Sequence, residues 1–372
     1  MTFKLSPLSP PRRLLLGPGP SDAPPEVLVA MSQPVLSHLD PAFLKIMDET
    51  MEALRVVFGT GNRMTLPISG AGSAGMEAAM VNPIEPGDRA IIGVVGHFGA
   101  RMAEIARRCG AEVETIEPTW GQILDPADIR RSLQKKKAKL VGVVHVETST
   151  GVIQPLEEIS RIVHEHGALF IVDTVASLGG IAVNADALKI DICYSGSQKC
   201  LSAPPGLAPL TVSETGMAAL RARKSAVRSW YLDLTLLDKY WGTDRVYHHT
   251  APVSMIYALR EALRLTLDEG FEARYKRHMD AHRALAAGMQ KLGLEFLVAP
   301  ELRAPMVNAV KVPSGVDANA VKKRLLEEDG IEIAGGFGPL AGKIWRIGLM
   351  GYSARLENVE RLLGAMKRIM GR

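Results

Sequence analysis

The sequence is poor in cysteine and in aromatic residues, and it contains no long uncharged apolar run. Its three cysteines, Cys109, Cys193 and Cys200, do not have the spacing of a metal site, so we expect reduced, buried thiols. No stretch reaches membrane-spanning length without charge or glycine, and the first residues lack the apolar core of a signal peptide. We therefore predict a cytoplasmic protein that does not contact a membrane.

A strong excess of charge of either sign is also missing. The formal net charge is +4, and the one dense basic run, residues 135–137, ends a helix predicted to begin at Asp125-Pro126. Cations at a helix C-terminus complement the helix dipole, so this run indicates a solvated helix end and not a nucleic-acid surface. Hydrophobic residues make up 47% of the chain, as is usual for a globular protein.

The chain predicts an α/β protein that begins with an extended arm. Residues 1–16 are rich in proline, and the next four, 17–20, form the turn Gly-Pro-Gly-Pro. Further along, strand-like runs alternate with amphipathic helices, which predicts a mainly parallel sheet with both faces covered. Seven such runs are present, at residues 65–69, 90–95, 113–117, 140–146, 169–173, 190–196 and 207–212.

The pattern changes in the last third of the chain. A long helical stretch at 253–292 is interrupted near Gly270, and shorter strands and helices follow it, at residues 308–312, 317–328, 331–334, 344–349 and 354–370. This order predicts a small α+β domain. We expect a large domain at 17–268 and a small C-terminal domain at 269–372.

A carboxylate and an amine follow two of the predicted strands. Asp173 ends the run at 169–173, and Lys199 lies just beyond the run at 190–196. Because the carboxyl ends of parallel strands meet at one sheet edge, we expect both side chains in one ligand site. Pyridoxal phosphate enzymes need this pair. The lysine amine condenses with the cofactor's aldehyde, and the carboxylate keeps the pyridine nitrogen protonated.

A lysine that follows a strand can also be a solvated loop residue, and position alone leaves this alternative open. Lys199 is followed by Cys200, Leu201 and a turn at 202–206, which offer it little solvation. Such surroundings lower the pKa of a lysine toward the neutral amine, which is the form that condenses with an aldehyde. The context therefore favours a catalytic Lys199.

A glycine-rich loop, Gly-Ala-Gly-Ser-Ala-Gly at 70–75, follows the first predicted sheet strand. Its G-x-G-x-x-G spacing also occurs in dinucleotide sites, but the loop lies well inside the chain, and the acid Asp88 precedes the next strand instead of ending it. We favour a phosphate site at a helix N-terminus, with backbone donors at Gly72 and Ser73 and with Ser73 also able to cap the helix. A tight turn without a ligand is the alternative.

Longer motifs extend over nearly the whole chain. They are L-L-L-G-P-G-P-S at 14–21, E-T-S-T-G-V at 147–152, V-D-T-V-A-S-L-G-G at 172–180, Y-S-G-S-Q-K at 194–199, A-P-P-G at 203–206, Y-H-H-T at 247–250 and R-I-G at 346–348. In these motifs and their order, the sequence resembles the alanine–glyoxylate and serine–pyruvate aminotransferases, class V of the fold-type I pyridoxal phosphate enzymes. The resemblance implies the type I transferase fold and a homodimer.

The resemblance also implies a cofactor site. Phe98, where relatives often carry tryptophan, would stack on the pyridoxal ring, Val175 would cover the opposite face, and Thr148 would hydrogen-bond the phenolic oxygen. Ala71 and Ser73 stand where relatives have serine and histidine, so we expect fewer or different phosphate contacts there. The residues implied to contact the phosphate are Ala71, Gly72, Ser73, Gln198 and, across the dimer interface, Tyr247 and Thr250.

The same resemblance places Arg346 as the clamp for the substrate carboxylate, with Gly19 and Thr148 beside the substrate. A guanidinium holds a carboxylate through two parallel hydrogen bonds. In isolation, Arg346 in the segment K-I-W-R-I-G could be an outward-facing strand residue. No second arginine for a distal carboxylate is obvious, which disfavours aspartate and glutamate as amino donors.

Histidines cluster at 164–166 and at 248–249, but neither spacing is that of a zinc site, and we expect no metal. We expect His145 to line the cofactor at a strand end.

The sequence therefore predicts a ping-pong transaminase that moves an amino group from alanine or serine to glyoxylate or pyruvate. Lys199 would act as the base. One alternative is an aminophosphonate transaminase of the same class. Another is a cysteine desulfurase, which needs a nucleophilic cysteine in the last quarter of the chain, whereas all cysteines here lie at or before residue 200. An alternative from a different class is a non-catalytic nucleotide-binding protein that uses the glycine-rich loop.

Overall fold

The computed structural model describes residues 3–371 of the chain. The first two residues of the predicted arm and the last residue of the predicted small domain therefore lie outside the described residues. The strands, in chain order, are β1 (Leu14–Leu15), β2 (Met64–Ser69), β3 (Arg89–Gly93), β4 (Glu112–Ile116), β5 (Leu140–Val144), β6 (Val146–Glu147), β7 (Val152–Ile153), β8 (Leu169–Asp173), β9 (Ile192–Tyr194), β10 (Leu207–Val212), β11 (Val307–Lys311), β12 (Ile331–Glu332), β13 (Ala334–Gly335) and β14 (Ile344–Gly348).

The helices of the described residues cover both faces of the main sheet and pack on the C-terminal strands. In chain order they are α1 (Pro25–Met31), α2 (Pro41–Phe58), α3 (Gly72–Val81), α4 (His97–Arg108), α5 (Pro126–Lys135), α6 (Glu157–Glu165), α7 (Glu214–Arg221), α8 (Leu234–Trp241), α9 (Val253–Glu269), α10 (Phe271–Lys291), α11 (Ala318–Asp329) and α12 (Leu356–Met370). None of these helices combines the length and the apolar character that crossing a lipid bilayer requires.

Seven strands form the main sheet, in the order β2-β10-β9-β8-β5-β3-β4. Strand β10 is antiparallel to both of its neighbours, whereas the remaining pairs are parallel. Every residue of β3, β5 and β8 is buried, as expected for parallel strands that have helices on both faces. The predicted α/β fold with a mainly parallel seven-stranded sheet is confirmed.

Short polar side chains define where several helices begin. An aspartate precedes each of α2, α5, α8 and α11, and its carboxylate accepts a hydrogen bond from a backbone N–H of the first turn. This cap satisfies a donor that has no partner within the helix. The helical stretch predicted at 253–292 is interrupted where expected, because Gly270, with a φ of 76°, separates α9 from α10.

A second, smaller core lies in the C-terminal part of the chain. Strands β11, β14 and β13 form an antiparallel sheet, and helices α10, α11 and α12 contribute apolar side chains to the core beneath it. Helix α9, by contrast, packs in the core of the main sheet. On this division of the apolar side chains we propose the domain boundary at residue 269.

The end of the N-terminal arm belongs to this second core. Strand β1 pairs in parallel with β12, and the side chains of Leu14 and Leu16 pack with the C-terminal apolar residues. The preceding residues form no helix or strand from Phe3 to Arg13, and Phe3 and Leu8 are almost fully exposed. The arm is therefore anchored at its C-terminal end.

Phe170 provides a test of the core assignment, because it lies within β8 and is fully buried. We expect Phe170→Ala to lose about 3–5 kcal/mol of stability through the cavity it leaves. The exposed Phe3 supplies the control, and Phe3→Ala should stay within about 0.5 kcal/mol of wild type. The midpoint of urea unfolding is measured for both variants. Equal midpoints would contradict the assignment of Phe170 to the core.

Candidate active site

Asp173 lies at the carboxyl end of β8, beside the end of β9. Its carboxylate accepts hydrogen bonds from the Tyr194 hydroxyl at 2.9 Å and from the Val175 N–H at 2.8 Å. The side chain is almost fully buried, and this burial raises the pKa of Asp173 to about 7. A cation placed against the carboxylate would lower that pKa again and restore the charged form.

Lys199 follows β9 on a turn that is held from both sides. The Lys199 carbonyl accepts from the Ser21 hydroxyl at 2.7 Å and from the Ser202 N–H at 3.0 Å, and Nζ donates to the Pro18 carbonyl. Burial, and after it the positive charge of Arg346, lower the pKa of Lys199 to about 8. The amine is thus much closer to its neutral, nucleophilic form near pH 7 than an exposed lysine would be.

Gly19 lies directly against the lysine side chain. Its φ is 104°, and a Cβ added there would lie 2.6 Å from Lys199 Nζ. Only glycine fits this backbone conformation and this contact. The structure therefore places Gly19, which the resemblance assigns to the substrate site, next to the predicted catalytic amine.

The glycine-rich loop ends at the same sheet edge. Helix α3 begins at Gly72 without a side-chain cap, so its first N–H groups are not bound by a capping side chain. Ala71, and not Ser73, is the N-cap residue, which corrects the expectation that Ser73 caps the helix. A Cβ on Gly72 would lie 3.3 Å from the Val175 side chain, so the loop and Val175 are in contact.

Gln198 lies beside the loop with an unsatisfied polar atom. Its Oε1 is buried and has no hydrogen-bond partner among the described residues. A Cβ on Gly196 would lie 2.9 Å from this atom. Since a glutamine amide can exchange its oxygen and nitrogen by a half-turn, the same side chain could present N–H donors there. A buried polar atom without a hydrogen-bond partner is a reason to expect a bound ligand.

Arg346 is buried in β14 and forms no ion pair within the described residues. Its Nε donates to the Gly335 carbonyl at 2.7 Å, and Nη1 donates to the Thr148 carbonyl at 3.0 Å. The Phe337 ring stacks on the guanidinium, with 4.1 Å from Cζ to the ring centre. Burial lowers the pKa of Arg346 to about 10, and Glu147 opposes this effect. A buried cation without a counter-ion is a natural site for a substrate carboxylate.

Arg101 is a residue that the sequence reasoning missed. It lies one turn after Phe98 on α4, and its Nη1 donates to the Ser73 hydroxyl at 3.1 Å. Its guanidinium also lies 4.9 Å from the centre of the half-buried Phe98 ring, and it forms no ion pair within the described residues. The i, i+3 spacing from Phe98 on a predicted helix is the signal that could have identified it.

The remaining predicted residues take different positions. Thr148 is buried beside Arg346, while Tyr247 and Thr250 are exposed on the surface. His145 is buried, its Nδ1 lies 3.1 Å from the Ser177 hydroxyl, and burial lowers its pKa to about 4. Within the described part of the chain, no group of three or more histidine, cysteine, aspartate and glutamate side chains is arranged to hold a metal ion.

A separate cleft of about 610 Å³ has Leu201 and Ser202 in its lining. Each arginine that lines it is paired with a carboxylate: Glu269 forms ion pairs with both Arg274 and Arg277, and Arg355 pairs with Glu357. This cleft therefore lacks the unpaired cation that distinguishes the site around Arg346.

Comparison with known proteins defines the class of this protein. The family described as Aminotransferase class-V matches residues 13–362. The chain belongs to this family, and the predicted resemblance is confirmed.

Individual relatives cover almost all of the chain. It is 46% identical to the (S)-ureidoglycine–glyoxylate transaminase of Bacillus subtilis over 97% of this chain and 91% of that protein. It is 43% identical to the alanine–glyoxylate aminotransferase of Callithrix jacchus over 98% and 89% of the two chains. The crystal structure of the alanine–glyoxylate aminotransferase from Nostoc sp. has a TM-score of 0.98, with 47% identity over 99% and 98% of the chains. The predicted transferase fold is confirmed.

The electrostatic coupling between Arg346 and Lys199 can be tested in the cofactor-free protein. Arg346→Met removes a cation that lowers the pKa of Lys199, so we expect that pKa to rise from about 8 toward 10.5. Arg303→Met is a matched control, because Arg303 also stacks on a phenylalanine ring, that of Phe296. Labelling of Lys199 by an amine-selective reagent is measured at a series of pH values by peptide mass spectrometry. The midpoint of the labelling curve gives the pKa of Lys199. An unchanged midpoint in Arg346→Met would contradict the coupling.

Proposed function

We propose that this protein binds pyridoxal phosphate and transfers the amino group of a small α-amino acid to glyoxylate. The observation that carries the proposal is a group of three buried charged residues: Asp173 and Lys199 at the carboxyl edge of the main sheet, and Arg346 from the small sheet, whose positive charge acts on Lys199. Class V aminotransferases depend on pyridoxal phosphate. An amine near its neutral form, a buried carboxylate and an unpaired guanidinium are the groups that such an enzyme requires.

The residues present fit the cofactor. The uncapped start of α3 and the orphaned amide of Gln198 would hold the phosphate, and Asp173 would hold the ring nitrogen. Phe98 and Val175 would lie on the two ring faces, with Thr148 beside the phenolic oxygen. When bound, the cofactor would supply an aldehyde that condenses with amines and a ring that accepts the electron pair left by a departing α-proton.

Lys199 is the residue that transfers the proton. Once its Nζ is released as a neutral amine, it takes the substrate's α-proton and later returns a proton, as a general base and then a general acid. The lowered pKa of Lys199 keeps a useful fraction of this amine neutral near pH 7. Arg346 fixes the substrate carboxylate and thereby orients the α-proton toward Nζ.

The proposed substrates are those for which the relatives are named. Both the Bacillus and the Callithrix proteins are named for glyoxylate, and their amino donors are ureidoglycine and alanine. We propose glyoxylate as acceptor, with alanine or ureidoglycine as donor, and we keep serine and pyruvate as predicted alternatives. We further propose a homodimer in which the exposed Tyr247 and Thr250 complete the phosphate site of the partner subunit.

The thiols argue against desulfurase chemistry. Burial raises the pKa of Cys193 to about 12 and that of Cys200 to about 11, and it also raises the pKa of Cys109. A desulfurase needs an accessible thiolate. All three cysteines are buried, so this alternative is not supported.

The proposal is tested by the visible absorption spectrum of the protein with pyridoxal phosphate, before and after each donor is added without a keto acid. We expect a yellow band that alanine or ureidoglycine bleaches and that glyoxylate then restores. Lys199→Ala should abolish turnover, because it removes the amine that moves the proton. Absence of the band in wild type, or near-normal turnover in Lys199→Ala, would refute the proposal.

Arg101 allows a more specific prediction about the phosphate. Since its unpaired cation lies against Ser73 at the start of α3, Arg101→Met should weaken pyridoxal phosphate binding by about tenfold and leave binding of phosphate-free pyridoxal unchanged. Arg108→Met is the control on the same helix, because Arg108 is exposed and paired with Glu104. The dissociation constants of both ligands are measured by absorption titration. An equal loss of affinity for pyridoxal phosphate and for pyridoxal would show that Arg101 does not act on the phosphate.

A further inference from the structure

Glu147 is a fully buried carboxylate close to the proposed cofactor site, and neither the sequence motifs nor the proposed mechanism gives it a role. Its Oε1 accepts hydrogen bonds from the Ser149 N–H at 3.0 Å and the Ser149 hydroxyl at 2.6 Å. Its Oε2 accepts from the N–H groups of Phe98 and Gly99, both at 3.2 Å. Burial raises the pKa of Glu147, and the hydrogen bonds from Ser149, Gly99 and Phe98 oppose this effect. Every partner is a donor, so the group acts purely as an acceptor, as an ionised carboxylate does.

These contacts replace the cap that helix α4 lacks. Gly96 occupies the N-cap position and has no side chain that could accept a hydrogen bond. The His97 N–H donates to the Ser149 hydroxyl at 2.9 Å, so the first three N–H groups of α4 are all bound by residues 147 and 149. A Cβ on Gly96 would lie 2.7 Å from Cδ of Glu147, so glycine is what admits the carboxylate to the helix end.

Helix α4 positions the Phe98 ring. This side chain has no polar atom with which to anchor itself. Its half-buried ring packs against the core of the main sheet, and its polar neighbours are the His97 ring, at an edge-to-face angle, and the guanidinium of Arg101. Both of these neighbours lie on the same helix. The location of the ring therefore depends on where the backbone of the first turn is held, and Glu147 holds that turn directly.

The Glu147 charge also acts on the other ionisable groups of the site. Burial is the main cause of the pKa shifts of Asp173, Lys199, Arg346 and Tyr194, and the Glu147 carboxylate adds a smaller upward contribution to the pKa of each. Two of these groups are cations without an ion pair among the described residues. The carboxylate thus supplies negative charge to the site without contacting the cations.

We propose that Glu147 is a positioning residue that fixes Phe98 against the cofactor ring by capping α4 from the neighbouring strand. This inference rests on the proposed function, because it assumes that pyridoxal phosphate binds beside Phe98. It goes beyond that function, because it assigns the stacking geometry to a residue that touches neither cofactor nor substrate. A purely structural role, in contrast, would affect stability and leave the bound cofactor unchanged.

The test compares Glu147→Gln with a matched control, Asp191→Asn. In Glu147→Gln the size is kept, but one of the two acceptor oxygens becomes an NH2 group that faces backbone N–H donors, either those of α4 or that of Ser149, so the set of hydrogen bonds to the helix end cannot be kept whole. Asp191 is also a buried carboxylate that accepts from a backbone N–H, that of Phe170 at 2.9 Å, and from the Ser213 hydroxyl. It belongs to no part of the proposed machinery. Thermal unfolding of both variants checks that they fold.

Two measurements report on the cofactor and the helix separately. We expect Glu147→Gln to bind pyridoxal phosphate about tenfold more weakly and to lose most of the visible circular dichroism per bound cofactor, whereas Asp191→Asn changes neither. In the cofactor-free protein, we expect faster amide hydrogen exchange at residues 97–99 in Glu147→Gln alone.

The outcomes separate this inference from the function it rests on. If wild type does not bind pyridoxal phosphate, the proposed function fails and this inference fails with it. If wild type binds, but Glu147→Gln keeps its affinity within twofold and its dichroism intact, only the role of Glu147 is refuted. Should Glu147→Gln not fold, Ser149→Ala removes the His97 acceptor and one donor to Glu147, and it should change dichroism in the same direction to a smaller extent. No change in Ser149→Ala would then overturn the inference.

Discussion

The site depends on the burial of charged side chains that are not paired directly with one another. Burial of an unpaired charge costs several kcal/mol, so the fold must supply compensating dipoles. It does so with backbone groups: carbonyls of Pro18, Gly335 and Thr148 accept from the two cations, and N–H groups donate to the carboxylates. The charges therefore remain available to a ligand, whereas in the cleft beside Leu201 they neutralise each other.

The parallel sheet brings these groups to one place. Strand β8 ends at Asp173 and lies next to β9, whose continuation carries Lys199, while β6 carries Glu147 just after β5. Arg346 comes from the small antiparallel sheet and reaches the backbone after β6 through Thr148. The bond between Arg346 and Thr148 thus joins the two cores at the site. The same contact places the proposed carboxylate clamp beside the proposed cofactor pocket.

Residues that end a strand could be predicted from the sequence, and residues defined by a distant contact could not. Apolar runs and their polar ends identified all seven strands of the main sheet and the positions of Asp173 and Lys199. No local pattern identifies Glu147, because the Phe98 N–H that it accepts from lies 49 residues away. Local spacing relates Arg101 to Phe98 alone, and its bond to Ser73, 28 residues away, depends on the fold. Ser73 does not cap α3, because the N-cap position lies two residues earlier, at Ala71, and helix ends are set by tertiary contacts as much as by local preference.

The pairing of β1 with β12 has a mechanical consequence. The carbonyl of Leu16 accepts from the Gly348 N–H at 2.7 Å, so the turn that follows β1 is attached to the C-terminal sheet. That turn carries the Pro18 carbonyl, which holds Nζ of Lys199, and Gly19, which lies against it. The other end of the turn is bound to the backbone of the lysine itself, because Ser21 donates to the carbonyls of Gln198 and Lys199, so a rotation of the C-terminal sheet would act on the turn between these two anchors. The orientation of the small sheet and the reactivity of the lysine are thereby linked through a four-residue turn at 17–20.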